Sequence, residues 1–250
     1  MNISWKTIGV LILILSIGSV VGVLVFGTVT DSSPTDPIDP TETSEYPATP
    51  ADLEYESPPD NLSVIYQTHS SSVDSVPHSY IYRQTVNGEN RVEFDTYYNY
   101  QEEEFYKESN FTGPNGDLRV ERYVDSNRVY TQRSTTEDST STVEATQIES
   151  EKANMAITST LSNSNYTGMT ITHEETIQQD SGEYFVYTVG TSENSGDWET
   201  HSGQVVVSRS GVLVLYDVTS TLKSGETYNH RYELTSTDPE FESPLWVEGV

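Results

Sequence analysis

Gln204-Val-Val-Val-Ser-Arg-Ser-Gly-Val-Leu-Val-Leu-Tyr-Asp-Val218 is the stretch that decides the fold. Two runs rich in branched apolar residues flank Ser210-Gly211, which is the signature of a β-hairpin closed by a tight turn. With Ser210 and Gly211 as the loop, Val207 is expected opposite Val214, and Val205 opposite Tyr216, on one face. Val206 then meets Leu215, and Ser208 meets Leu213, on the other. A hairpin that is apolar on both faces must be covered on both, so it belongs inside a sheet with material above and below.

The same period-two patterning continues outward from the hairpin. Residues 78–86 alternate Tyr80 and Tyr82 against Ile81 and Arg83 and end on Asn87-Gly88, a strong two-residue hairpin turn. Residues 91–100 carry Val92, Phe94, Tyr98 and Tyr100 in one phase. Residues 102–111 either continue that strand or form the next, further strands are predicted at 118–124, 128–133, 168–179, 183–189, 198–208, 212–222 and 227–236, and 140–148 is ambiguous. Asp125-Ser-Asn127, Asp180-Ser-Gly182 and Ser224-Gly225 supply turns between neighbours. Short connections predict an antiparallel meander. Before it, Leu62, Ile65, Tyr66 and His69 share one helical face behind Asp60 or Asn61 as cap, so a short helix should lie across the sheet. Residues 151–161 are weakly helical. The fold class is therefore mainly β (α+β): one antiparallel sheet with one or two helices.

The chain ahead of this domain reads as three parts: a cytoplasmic N-terminus (1–6), a transmembrane signal anchor (7–29) and a disordered linker (30–59), before the β-rich domain at 60–250. Residues 7–29 carry no charge and, as a helix, span roughly 34 Å, enough for a hydrocarbon core of about 30 Å. Lys6 precedes them and Asp31, Asp36 and Asp39 follow, which orients the C-terminal bulk outward. A cleaved signal peptide is the competing reading, but the apolar run is longer than a usual h-region and no A-x-A site follows. Gly18 and Gly22 form a G-x-x-x-G pair, a helix-contact pattern that is also ordinary membrane-helix composition. In the linker, Pro34, Pro37, Pro40, Pro47, Pro50, Pro58 and Pro59 recur among Thr, Ser, Asp and Glu, a composition that favours extended chain. Its hydroxyl residues suit O-linked sugar. The expected location is the cell membrane, crossed once, with the domain extracellular.

Composition excludes several function classes. Lys and Arg number 12 against 39 Asp and Glu, a formal net charge of -27. Such a surface repels nucleic-acid phosphates. It fits a protein kept soluble in concentrated salt, where self-repulsion is screened. There is no cysteine, hence no disulfide, no thiolate chemistry and no lipid-bearing cysteine. His69, His78, His173, His201 and His230 are isolated, in no metal-binding spacing, and read as half-exposed strand histidines. No nucleophile elbow, P-loop or dinucleotide-binding pattern occurs. Glu102-Glu-Glu104, Asp125-Ser-Asn127 and Asp36-Pro-Ile-Asp39 match no calcium loop and read as solvated charge. The expectation is a non-enzyme with no catalytic residue, cofactor or metal site.

Tyrosine stands out, 17 against 6 phenylalanines. Two readings apply. An aromatic-lined concavity for an amphiphilic ligand needs apolar area with polar handles. Ordinary β propensity, with hydroxyls facing water or backbone, needs neither cavity nor ligand. The first makes Tyr82, Phe94, Tyr98, Tyr184, Val206, Leu213 and Leu215 candidate lining residues. Asn61, Asn110 and Asn165 head N-x-S/T acceptor sequences for N-glycosylation on the outer side of the anchor.

In order, the helix, the tyrosine-rich meander, the Tyr-Val-Asp-Ser-Asn-Arg-Val-Tyr run at 123–130 and the Val-Ser-Arg-Ser-Gly-Val hairpin resemble a family of uncharacterised haloarchaeal cell-surface proteins, many of them lipoproteins. The family's domain is similar to the lipoprotein carriers LolA and LppX. The resemblance covers about residues 60–247 and implies a strongly bent sheet, an incomplete barrel with helices plugging its concave side. It implies an apolar cavity for acyl chains and no catalytic residue. This chain departs from the lipoproteins in having an apolar N-terminal run and no cysteine to carry lipid. The expected role is non-catalytic binding of a lipid or other hydrophobic ligand. The other reading is a structural or adhesive surface protein with a filled interior and no small-molecule ligand.

Overall fold

The computed structural model describes residues 45–49, 55–73, 76–99, 104–113, 116–125, 128–135, 142–147 and 168–248. The expected anchor at 7–29, most of the linker, the helix at 151–161 and Asn165 lie outside them. Among the described residues no helix is long and apolar enough to cross a membrane.

Among the described residues, one helix precedes eleven strands. Helix α1 (Leu62–Val73) is followed by β1 (His78–Val86), β2 (Glu89–Asn99), β3 (Glu104–Phe111), β4 (Leu118–Asp125), β5 (Arg128–Thr135) and β6 (Thr142–Gln147). Then come β7 (Met169–Gln179), β8 (Gly182–Thr191), β9 (Trp198–Ser208), β10 (Leu213–Leu222) and β11 (Thr227–Ser236), with a 3-10 turn at Leu245–Val247. Every pairing is antiparallel. The strands form a single open sheet in the order β6-β5-β4-β3-β2-β1-β11-β10-β9-β8-β7. Two meanders, β1 to β6 and β7 to β11, are thus joined where the first strand pairs with the last. The outermost strands β6 and β7 are rich in Thr, Glu and Gln, and β7 is largely exposed, which discourages edge-to-edge pairing.

Local chemistry explains the elements. Asn61 caps α1: its side-chain oxygen accepts the Ser63 N–H at 2.7 Å, and its carbonyl accepts from Val64 and Ile65. Leu62, Ile65, His69 and Val73 form the buried stripe of the helix. Asn87 and Gly88 both have positive φ, the conformation a two-residue primed turn demands between β1 and β2.

The β9–β10 hairpin departs from the expected register. Ser208 N–H donates to the Val212 carbonyl and Gly211 N–H to the Ser208 carbonyl, so the loop takes three residues, with Gly211 left-handed at φ 85°. Val205–Tyr216 and Val206–Leu215 pair as expected. Val207 pairs with Leu213 instead of Val214, and Val214 is the extra residue of a β-bulge. The consequence is that Leu213 shares a face with Val207 and not with Val206 and Leu215.

Both faces of the sheet are covered over β8 to β11. On one, α1 packs near Leu213 and Tyr232: the Leu213 N–H donates to His69 Nδ1 at 3.2 Å, and the His69 and Tyr232 rings meet edge to face. On the other, Tyr46 lies 5.2 Å from Tyr184, and Thr237 donates to the Ala48 carbonyl. Tyr55, on the helix side, donates its N–H to the Arg209 carbonyl and rests near Phe185. Tyr46 and Tyr55 belong to the stretch read as linker, yet both pack on the core. Their ring area outweighs the proline-rich composition around them. Farther along the sheet, Phe241 stacks on Tyr97 at 4.2 Å and lies near Tyr106 and Tyr123, so the chain after β11 covers the non-helix side of β2 to β4.

A candidate ligand-binding face

Register sorts the expected lining residues onto the two sides of the sheet. Tyr82, Phe94, Tyr98 and Leu213 lie on the helix side. Tyr184, Val206 and Leu215 lie on the opposite side, against the Tyr46 segment. These seven therefore do not line one cavity. Val206 is completely buried and Leu215 nearly so, both within the main core cluster. What remains as a candidate site is the helix side of β1 to β5.

Two aromatic rows cross that side. The first runs Phe111–Phe94–Tyr82–His230: Phe111 and Phe94 centroids are 6.1 Å apart, Phe94 and Tyr82 5.5 Å, and the Tyr82 hydroxyl is 2.6 Å from His230 Nδ1. Phe94 and Phe111 are only half-buried. The second runs Phe105–Tyr98–His78–Tyr80–Tyr232–His69, with successive ring centroids 5.0 to 6.2 Å apart, and it is deeply buried. Val124 and Val129 extend its outer end.

Polar groups sit between the rows. Lys107 faces Thr96 on β2 and Arg122 on β4, and Arg122 faces Thr131 on β5. The Lys107 ammonium stands 3.5 Å from the centre of the Phe94 ring. Desolvation, and then the neighbouring Arg122 charge, lower the Lys107 pKa to about 8. Burial likewise lowers Arg122, with Arg133 adding to it. Among the described residues neither Lys107 nor Arg122 has a carboxylate or hydrogen-bond partner, and Arg122 Nε and Thr96 Oγ1 are buried without one. Arg133, beside them, pairs with Glu144 at 3.2 Å.

Glu144 on β6, held by Arg133, shares the helix side, but over Val92 to Tyr98, β3 and β4 the acids lie on the other side. Glu93, Asp95, Glu108 and Glu121 form a cross-strand ladder there, answered by Arg83 and Arg119. Burial, and then Glu108, raise the Asp95 carboxyl above its ordinary value. On the helix side, no acid occurs at the alternating positions from Val92 to Tyr98, Phe105 to Phe111, Leu118 to Val124 or Val129 to Arg133.

The histidines differ from expectation. His69, His78 and His201 are buried, not half-exposed, and they are held by aromatic stacking and hydrogen bonds. Only His173 is largely exposed. Burial depresses His69 to about 3 and His230 to about 4. Among the described residues no group of three or more potential ligands gathers to hold a metal. Because His69 Nδ1 must accept the Leu213 N–H, it stays unprotonated in the folded state. The unfolded chain takes up that proton near pH 6.5, so stability due to His69 is present above that pH and is lost as pH falls toward about 3. In denaturant titrations, wild type is expected to lose stability relative to His69→Gln by up to about tenfold in folding equilibrium per pH unit across this window. Parallel pH curves for the two proteins would contradict this.

Of the glycosylation candidates, Asn61 is exposed while capping α1, and Asn110 is exposed on β3 with its amide donating to Glu108.

No protein-family model and no curated protein matches the chain. Solved structures do. LprF from Mycobacterium bovis is 13% identical, with a TM-score of 0.39, covering 74% of this chain and 97% of its own. The lipoprotein LppX from Mycobacterium tuberculosis is 10% identical, with a TM-score of 0.37, covering 72% and 99%. A LolA superfamily protein from Nitrosomonas europaea is 12% identical, with a TM-score of 0.18, covering 73% and 96%.

Proposed function

We propose that this chain is a non-catalytic binding protein whose helix-side face over β1 to β5 takes a hydrophobic or amphiphilic ligand. The observation that carries the reading is the aromatic row Phe111–Phe94–Tyr82, half-buried at Phe111 and Phe94, which continues the main core outward from Tyr82 on the helix side. An apolar strip of this kind, with polar groups set beside it, suits an acyl chain with a polar end. Residues 7–29 anchor the protein in the cell membrane, in this reading, and the chain up to about residue 44 holds the domain clear of it on the outer side.

Calorimetric titration with dodecyl maltoside below its micelle concentration tests the proposal. The expected result is saturable binding near one ligand per chain, with a negative heat-capacity change from apolar burial. Featureless dilution heats across the range would end it and favour a structural or adhesive role.

A further inference from the structure

Lys107 and Arg122 are unusual within their own chain. Of the described cations, Arg83, Arg91, Arg119, Arg133, Arg209 and Arg231 each touch a carboxylate. Lys223 donates to the Gly196 carbonyl, and Arg128 is held by Tyr130. Lys107 and Arg122 sit side by side on adjacent strands, with no acid on their side over Val92 to Tyr98, β3 or β4. A chain with 39 acids and 12 Lys and Arg has carboxylates to spare, yet among the described residues none pairs with these two. Two like charges held together in a partly desolvated setting are unfavourable unless an anion answers them. The orphaned Arg122 Nε and the fully buried Thr96 hydroxyl point the same way, since buried polar groups normally have partners.

The position of the pair fixes what kind of anion. It lies against Phe94, next to the half-buried aromatic row and not at a solvent-facing rim. We propose that Lys107 and Arg122 bind the oxyanion head, phosphate or carboxylate, of an amphiphile whose apolar part lies along Phe94 and Phe111. Arg122 supplies the planar fork and Lys107 a point charge. This rests on the preceding reading of the face as a ligand site and adds the charge class of the ligand.

Titrations of wild type, Lys107→Gln and Arg122→Gln with dodecyl phosphate, dodecyl maltoside and inorganic phosphate decide the matter. Dodecyl phosphate is expected to bind wild type more tightly than dodecyl maltoside, and each substitution to weaken it by at least roughly tenfold. Maltoside binding is expected to change by less than about twofold, because its head carries no charge. If both amphiphiles bind and the substitutions affect neither, the anion assignment is overturned and the ligand face stands. Inorganic phosphate binding as tightly as dodecyl phosphate would replace the lipid head with a free anion and overturn the assignment to an amphiphile. Failure of every amphiphile to bind removes the underlying reading itself. The ligand-free proteins give an independent readout. Neutralising an unanswered pair leaves thermal stability unchanged or raised, whereas a fall of more than roughly 5 °C would show the chain's own acids as partners and contradict the proposal.

Discussion

Replacing Gly203 with alanine is expected to destabilise the domain by at least about 4 kcal/mol, enough to leave little folded protein. Gly203 lies inside β9, between Val218 of β10 and Val189 of β8, with φ 146°. A Cβ there would stand 2.1 Å from the Asp217 carbonyl oxygen and 2.8 Å from Val218 Cα. Both obstacles are backbone of the neighbouring strand, so relief requires β9 and β10 to separate beside the buried Val205 and Val218. Gly225→Ala is the control. Its φ is 89°, but nothing lies within 4 Å of the added carbon, so it is expected to cost only the left-handed strain, about 1 to 2 kcal/mol. Denaturant titration of both variants distinguishes a packing clash from general intolerance of side chains at positive φ. Equal losses at the two sites would contradict the close approach of β9 to β10.

The fold was largely legible because alternation and turn chemistry agree along the chain. His78–Val86 with Asn87-Gly88, and the paired apolar runs around Gly211, announce strands and turns by local residue types alone. What local pattern cannot supply is bulge placement. Whether Ser210-Gly211 or Arg209-Ser-Gly211 forms the loop depends on a left-handed Gly211 pressed against Thr68 of α1, a contact between distant parts of the chain. That choice moved Leu213 across the sheet. Tyr46 and Tyr55 were hidden by their composition, since proline, threonine and acids around them signal extended chain whatever the tyrosines touch.

The site was less legible. Alternation put Phe94 and Tyr98 in one phase of their strand, and the register with β1 sets Tyr82 on the same face. Tyr184, Val206 and Leu215 looked equivalent because a two-sided apolar strand has no outward-facing residue to mark which side is which. Lys107 and Arg122 went unnoticed among the charges, although a signal for them exists. In β3 the phase of Phe105 and Phe111 contains Lys107, and in β4 the phase of Leu118, Val120 and Val124 contains Arg122. A cation in the apolar phase of two successive strands is the trace such a site leaves in sequence.

Phe94→Ala carries the largest expected effect on binding. Phe94 joins Tyr82 to Phe111 and lies beneath the Lys107 ammonium, so its loss removes apolar contact for a chain and frees the cation above it. Half-burial limits the folding cost to about 1 to 2 kcal/mol, while the lost contact area weakens an acyl ligand by roughly tenfold or more. Val206→Ala is the opposite case. Val206 is 0% exposed on the other side of the sheet, and its truncation is expected to cost about 2 kcal/mol of stability without altering affinity. Dodecyl maltoside affinity measured side by side for wild type, Phe94→Ala and Val206→Ala is the most direct test. Loss confined to Phe94→Ala is the expected result. Equal affinity for all three proteins, or loss confined to Val206→Ala, would place the ligand elsewhere and contradict a binding face on the helix side of the sheet.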